Sequence, residues 1–379
     1  MNHQRIAQIE NLFRTGQRTD GTFQKLALKI PNESAPLPIT AYRPEGGYNS
    51  YYYQEETNKE KIVIHHTAGH LQGDFRALTQ KDYHVSVPFL IARDGSIYQL
   101  HHSKHWSYHL GPAALGGNKT QSKKAIGIEL SNYGYLVPRG DHLETYHSRA
   151  ERDNGSRSPI DRYCSKAEKD LYVKLPDRYR RYTYYASFTK AQHHSLIRLL
   201  RYLTKTYNIP TDFLPEDIRY AYTNKVIAFK GIVSHVNYRK DKFDIGPPFD
   251  WDSVIQGVQS DQYNPAGIDQ VEQAQKAYEA VEKAFQLIQV KIWETNSESA
   301  EDFETLEKAE EKLVAAHLEL QRIKAQKAQR STSDASSLEV ISEDGIDRSL
   351  PLRGSRTLLA PYGEDGPVER IFDYGNIER

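Results

Sequence analysis

One cysteine, Cys164, is all that 379 residues contain. A lone thiol excludes an internal disulfide framework and a cysteine-rich zinc site. Net charge is also missing, because 50 Lys and Arg cancel 50 Asp and Glu. Nothing global therefore points to nucleic acid as a partner. No apolar run reaches the roughly 18 residues of a membrane span. The opening stretch, MNHQRIAQIENLFRTGQ, lacks the apolar core of a secretory signal. We expect a soluble protein made in the cytoplasm, whose export, if any, uses another route. Hydrophobic residues are scarce at 38%, and mean hydropathy is −0.72. That is low for one compact globule, so part of the chain should be extended or disordered.

Against this background, KIVIHHT (Lys61 to Thr67) stands out. Ile62, Val63 and Ile64 between polar residues read as a buried strand. Side chains alternate along a strand, so His65 and His66 cannot both serve one site. Ala125–Leu130, AIGIEL, reads as a second strand, apolar on both faces and hence central, with one acid, Glu129. Burying that acid without a partner would be costly. A third segment, IVSHVNYRKDKFDIGPPFDW, brings His235, Lys242 and Asp244.

Other signals place these strands in an α/β domain over residues 61–262, a mixed sheet flanked by helices. Residues 1–60 begin with a weak amphipathic helix (Ile6, Ile9, Leu12, Phe13). A segment rich in Pro, Gly and Tyr follows and reads as an arm mostly without regular structure. The tyrosines of YNSYYYQ read as surface packing. A short helix is expected near Asp74–Gln80. HVSVPFLIARDGSIYQLHH reads as a hairpin turning at Asp94 and Gly95. Residues 135–187 form a long Tyr- and Arg-rich insertion with a helix candidate near Ser165–Val173, and so long an irregular stretch is usually functional or disordered. Thr189 and Gln192 have capping-box spacing, followed by Ile197, Leu199, Leu200 and Leu203 at helical intervals. His193 and His194 belong to the surface of that helix.

Beyond Asn264 and Pro265, a helix start, Val271 to Ile292 and Leu306 to Ile323 carry heptad-like apolar positions around a polar break. Residues 263–330 thus read as an antiparallel helical hairpin, or as a coiled coil with a partner that docks on it. Residues 331–379, polar and rich in Ser, Asp and Gly, are expected to be disordered.

Histidine nitrogens and a carboxylate oxygen suit a hydrolytic zinc site with one open position. The candidates are His65, His235 and Asp244 for the metal, Glu129 as general base and Lys242 for an oxyanion. By spacing alone this is weak, since the chain has 15 histidines.

The set IVIHHTAG, FLIARDGSIYQL, HWSYHLG, AIGIELSNYG and SHVNYRKDKFDIGPPFDW, in that order, resembles the zinc-dependent N-acetylmuramoyl-L-alanine amidases over roughly residues 61–255. The resemblance implies Zn²⁺ on His65, His235 and Asp244. It implies an acid–base role for Glu129, an oxyanion role for Lys242 and a place for His109 in the substrate groove. A tyrosine that many members carry in the FLI strand is replaced by Val87, Pro88 and Phe89. The implied substrate is peptidoglycan or its muropeptides, cut between N-acetylmuramic acid and L-alanine. Three roles follow. The first is a wall-lytic enzyme delivered by a phage or injection apparatus, acting in the periplasm or outside the cell. The second is a cytoplasmic recycling amidase. The third is a non-catalytic peptidoglycan-binding module. The filled ligand set favours an enzyme, and the helical hairpin favours delivery.

Overall fold

The computed structural model describes residues 3–16, 19–146, 162–260 and 340–345, together with part of 278–319. Two compact units emerge, 1–261 with 340–379, and 262–339.

The first unit is built on a sheet. Its leading part is helix α1 (His3–Thr15), then β1 (Gly21–Leu28), β2 (Leu37–Pro44) and β3 (Lys61–His66). Helix α2 (Leu71–Leu78), β4 (Phe89–Ile91), β5 (Ile97–Gln99), helix α3 (Asn118–Lys124) and β6 (Ala125–Leu130) follow. An insertion supplies β7 (Tyr135–Arg139), β8 (His142–Thr145), β9 (Arg162–Ser165), β10 (Tyr172–Tyr179) and β11 (Tyr182–Ala186). The chain returns through α4 (Lys190–Tyr207), two single turns, α5 (Glu216–Arg219) and α6 (Lys225–Ala228), β12 (Gly231–Ser234) and α7 (Trp251–Gln259). A last strand, β13 (Val340–Ile341), comes from the C-terminal region.

The main sheet has the order β12-β3-β6-β4-β5-β2-β1-β13. Its β12, β3, β6 and β4 are parallel neighbours, while β4–β5 and β1–β2 are antiparallel. The α/β class with a mixed sheet is therefore as read from the sequence. Ile62, Val63 and Ile64 are wholly buried. Each contributes roughly 2 kcal/mol through its burial. The hairpin turns where expected, with Gly95 at φ +86°.

Helix α4 begins with the capping box. Thr189 Oγ1 accepts from Gln192 N at 3.0 Å, and Gln192 Oε1 accepts from Thr189 N at 3.1 Å. Gln192 Nε2 also donates to the carbonyls of Ile91 and Ser131, tying the helix start to the ends of β4 and β6. His193 and His194 lie on α4 as expected but are half-buried, not on its open surface, and His193 stacks on Phe249.

Several expectations are corrected. Residues 1–60 are not an irregular arm, because β1 and β2 pair over eight residues and β2 joins β5 in the main sheet. The prolines that hid β2 sit near its ends, with Pro38 exposed and Pro44 last. Tyr51 and Tyr52 are buried, not surface packing, and Tyr52 stacks on His101. The insertion is a five-stranded antiparallel sheet, β10-β11-β7-β8-β9. The helix expected near Ser165–Val173 is reduced to one turn, Lys169–Leu171, before β10. Residues 340–345 are ordered, a difference from the disorder expected there. The rest of that tail, and the helix start at Asn264, lie outside the described residues.

The second unit has helical residues at 284–290 and 304–319. Tyr278 meets His317 edge-on at 5.5 Å, which brings the two apolar runs together within one chain. Leu287, Val290, Val314 and Leu318 are exposed on these helices. No helix among the described residues is long and apolar enough to cross a membrane.

Candidate metal centre

Parallel pairing assembles the site at one end of the sheet. β3 and β6 are in register from Lys61↔Ala125 to His65↔Glu129, so these two side chains share a face. β12 pairs with β3 up to Ser234↔Ile64, and the next step brings His235 level with His65. His66 points the other way and lies against Gly134, whose Cβ, if present, would sit 2.6 Å from the imidazole. That separation is the strand alternation expected of two adjacent histidines.

His65 Nδ1 lies 3.0 Å from His235 Nδ1 and 3.3 Å from Asp244 Oδ2, and His235 Nδ1 lies 3.0 Å from the same oxygen. All three residues are at most 2% exposed. They form a His–His–Asp cluster able to hold a metal ion. The backbone of Leu110 fixes the chemistry of one corner. Its carbonyl can only accept, so His235 Nε2, 3.0 Å away, carries the proton and Nδ1 presents a lone pair. Leu110 is itself anchored, since its N–H donates to Asn118 Oδ1 at the start of α3.

A second relay orients His65. With Nδ1 bare, His65 Nε2–H donates to His109 Nδ1 at 3.0 Å. His109 then keeps its proton on Nε2, a buried atom without a hydrogen-bond partner among the described residues. Metal-bound histidines characteristically donate their second nitrogen to such a partner. Burial pushes His109 well below the usual histidine range, and the neighbouring imidazoles of His65 and His235 push the same way. For Asp244, burial pushes upward, but His235 and then His65 outweigh it and hold the carboxyl well below its ordinary range.

The donor set fits a divalent ion. Lone pairs of two imidazoles and a carboxylate face one another at contacts that few protons can satisfy. Asp244 Oδ1 is buried without a hydrogen-bond partner. Bonds of about 2.0–2.1 Å to a tetrahedral ion place ligand atoms about 3.3–3.4 Å apart, close to the spacings found. A four-coordinate ion held by three protein ligands has one further position for water or substrate.

Glu129, 3% exposed, lies on the strand beside His65. Lys242, 2% exposed, lies on the loop two residues before Asp244. Of the residues singled out from sequence, the structure thus gathers His65, His235, Asp244 and His109 in direct contact. It places Glu129 in register with the first and Lys242 on the ligand loop.

Two features carried no sequence signal. The Leu110 carbonyl acts through its backbone. The insertion also buttresses the ligand loop: Tyr135 stacks on Tyr182 at 3.7 Å, and both rings meet Phe243, the residue before Asp244. The β10–β11 turn reaches the same loop, where Arg180 donates to the Lys240 carbonyl. Only the density of tyrosine in 172–185 hinted at such a wall.

The fold and the His–His–Asp cluster define an α/β protein with a buried three-residue site able to hold a metal ion. The family model for N-acetylmuramoyl-L-alanine amidases matches residues 56–247, and the chain belongs to that family. Among solved structures, it is similar to the amidase AmiD of E. coli in complex with anhydro-N-acetylmuramic acid-L-Ala-D-gamma-Glu-L-Lys. Identity is 21%, covering 54% of this chain and 59% of that one, with a TM-score of 0.32. The amidase LysC from Clostridium intestinale is 18% identical, covering 54% of this chain and 89% of that one, with a TM-score of 0.27. A selenomethionine derivative of AmpD is 18% identical, covering 55% and 92%, with a TM-score of 0.31. The chain thus spans less than two thirds of the AmiD structure. No curated protein matches it.

Proposed function

We propose that the protein is a zinc-dependent hydrolase of the amide joining N-acetylmuramic acid to L-alanine in peptidoglycan or its fragments. The observation that carries this is the triangle of His65, His235 and Asp244 with Glu129 in register beside it. Two nitrogens and one oxygen suit zinc better than the oxygen-seeking magnesium or calcium. Zinc held there supplies Lewis acidity and a readily ionised water. Glu129 accepts the proton of the attacking water and returns it to the nitrogen of the departing L-alanine. Lys242 offsets the charge on the former carbonyl oxygen. His109, whose Nε2–H is left over from orienting His65, offers that donor to the substrate.

We also propose delivery to the wall by a phage or injection apparatus. Exposed apolar residues on the helical second unit support a docking partner there. Recycling of muropeptides needs no such unit. Replacing residues 263–335 with a Gly/Ser linker should leave wall hydrolysis intact and abolish delivery, and unimpaired delivery would dismiss this role.

Digestion of purified sacculi, followed by mass spectrometry, tests the chemistry. Stem peptides with a free L-alanine amino terminus should appear, and a chelator should stop their release. Their absence from a metal-replete digest would mark a binding module. Glu129→Gln should keep the metal and lower turnover about 10²–10⁴-fold. Unchanged turnover would remove Glu129 from the reaction.

A further inference from the structure

The edge of the sheet opposite the metal centre carries a second built site. β13 follows the helical unit in sequence, yet it pairs with β1 in parallel, Ala27↔Val340 and Leu28↔Ile341. Lys29 N donates to Ile341 O at 3.2 Å, extending the ladder. Just beyond, Glu343 turns inward and is 3% exposed. One of its oxygens accepts from Ser103 N at 2.5 Å and Gln99 Nε2 at 2.6 Å. The other accepts from Ser103 Oγ at 2.6 Å and Tyr202 OH at 3.2 Å. His102 lies across both acids, Nδ1 3.1 Å from Glu343 and Nε2 3.0 Å from Asp344. Lys104 Nζ reaches Asp344 at 2.8 Å. A cavity opens beside the segment, lined among others by Lys29, Tyr202 and Lys205.

These donors come from β5, the loop after it and α4, and Gln99 and Ser103 are fully buried. Ser103 Oγ also meets Tyr207 OH at 2.7 Å, but removing the carboxylate takes from the buried Ser103 N–H the acceptor it has here, a costly change. Their shape is that of a receptor: a strand edge reads backbone, and a pocket two residues on reads an acid. Strand addition with side-chain pockets is a general mode of peptide recognition. Glu343 lies 240 residues from Ser103 and 141 from Tyr202 in sequence, and the whole second unit intervenes. Covalent tethering raises the effective concentration of such a segment to roughly millimolar. A short, two-residue ladder can therefore stay docked in the intact chain.

We propose that the β1 edge together with Gln99, His102, Ser103 and Tyr202 is a recognition site for an extended acidic peptide. The chain fills it with its own residues 340–344 as a tethered ligand. Six strand positions separate β13 from β3, about 30 Å at the usual interstrand spacing, so occupancy is independent of the metal centre.

Hydrogen-exchange mass spectrometry on the full chain tests this. Glu343→Ala, and the isosteric Glu343→Gln, should speed exchange in peptides containing Lys29 and Ser103. Peptides from β3 and β6, and the metal content, should not change. A synthetic peptide of residues 338–346 should restore the lost protection to the Glu343→Ala chain. The same peptide carrying Gln at 343 should bind at least about tenfold more weakly, given the worth of hydrogen bonds to a charged group. Unchanged exchange at Lys29 and Ser103 would overturn the proposal. So would loosening that spreads to β3, or failure of the native peptide to restore protection. Either would make the segment an ordinary part of the fold.

Discussion

Asp244→Asn isolates the metal from the fold. The substitution keeps the size of the side chain but removes the charge that faces His65 Nδ1 at 3.3 Å and His235 Nδ1 at 3.0 Å. An amide oxygen is a poor substitute for a carboxylate toward a divalent ion. The wild-type site, reading three ligands, gains stability with free metal by mass action, about 4 kcal/mol at a thousandfold excess over the dissociation constant. The leading part of the first unit spans Met1–Asp261. At roughly 2 cal/mol/K per residue, unfolding it carries an entropy of about 0.55 kcal/mol/K. Metal should therefore raise the melting temperature of the wild type by about 7 °C. Asp244→Asn should melt at the same temperature with zinc and with chelator. Differential scanning calorimetry and elemental analysis on the same samples read both quantities. A stoichiometric metal in Asp244→Asn, or a wild type whose melting ignores chelation, would refute the three-ligand centre.

Two further perturbations probe the surroundings. Asp74 is buried, which pushes its carboxyl up to about 7 despite hydrogen bonds from Ser131 and Thr67. Raised above its unfolded value near 4, it favours folding below about pH 4, and that contribution is lost between about pH 4 and 7. The span corresponds to up to about 4 kcal/mol. Asp74→Asn should flatten the fall in denaturant stability across that window, and an unaltered slope would assign the pH dependence elsewhere. A Cβ on Gly246 would fall 2.3 Å from Tyr179 Cε1. Gly246→Ala should cost about 1–3 kcal/mol and weaken metal binding, and adding Tyr179→Ala should recover much of both. Additive losses in the double variant would break the link between the inserted sheet and the ligand loop.

The parts of the fold legible in the sequence were those with long-range burial written into a local pattern. β3 and β6 are apolar on both faces, the Asp94–Gly95 turn has its glycine, and α4 has both its cap and its apolar spacing. The ligands were legible because they stand at the ends of such strands, and the family motifs fixed which of the 15 histidines to choose. The rest failed for physical reasons. α3 reads NKTQSKK and buries Asn118, Gln121 and Ser122 by hydrogen bonding, so it has no apolar period to find. β2 was masked by prolines whose missing N–H groups matter little near strand ends. The insertion's strands are tyrosine-rich and half-exposed, and they look like loop until paired. β13 is two residues long, shorter than any period. The contact of His109 with His65 depends on a fold-determined crossing, not on spacing.

The ligands His65 and His235 are separated by 170 residues. A nascent or truncated chain that stops short of β12 carries one imidazole and no aspartate of the set. Ion capture is then a timer for the last parallel strand to settle, the kind of distant pairing that closes slowly. Following the uptake of a spectroscopic ion such as cobalt during refolding would time that closure directly.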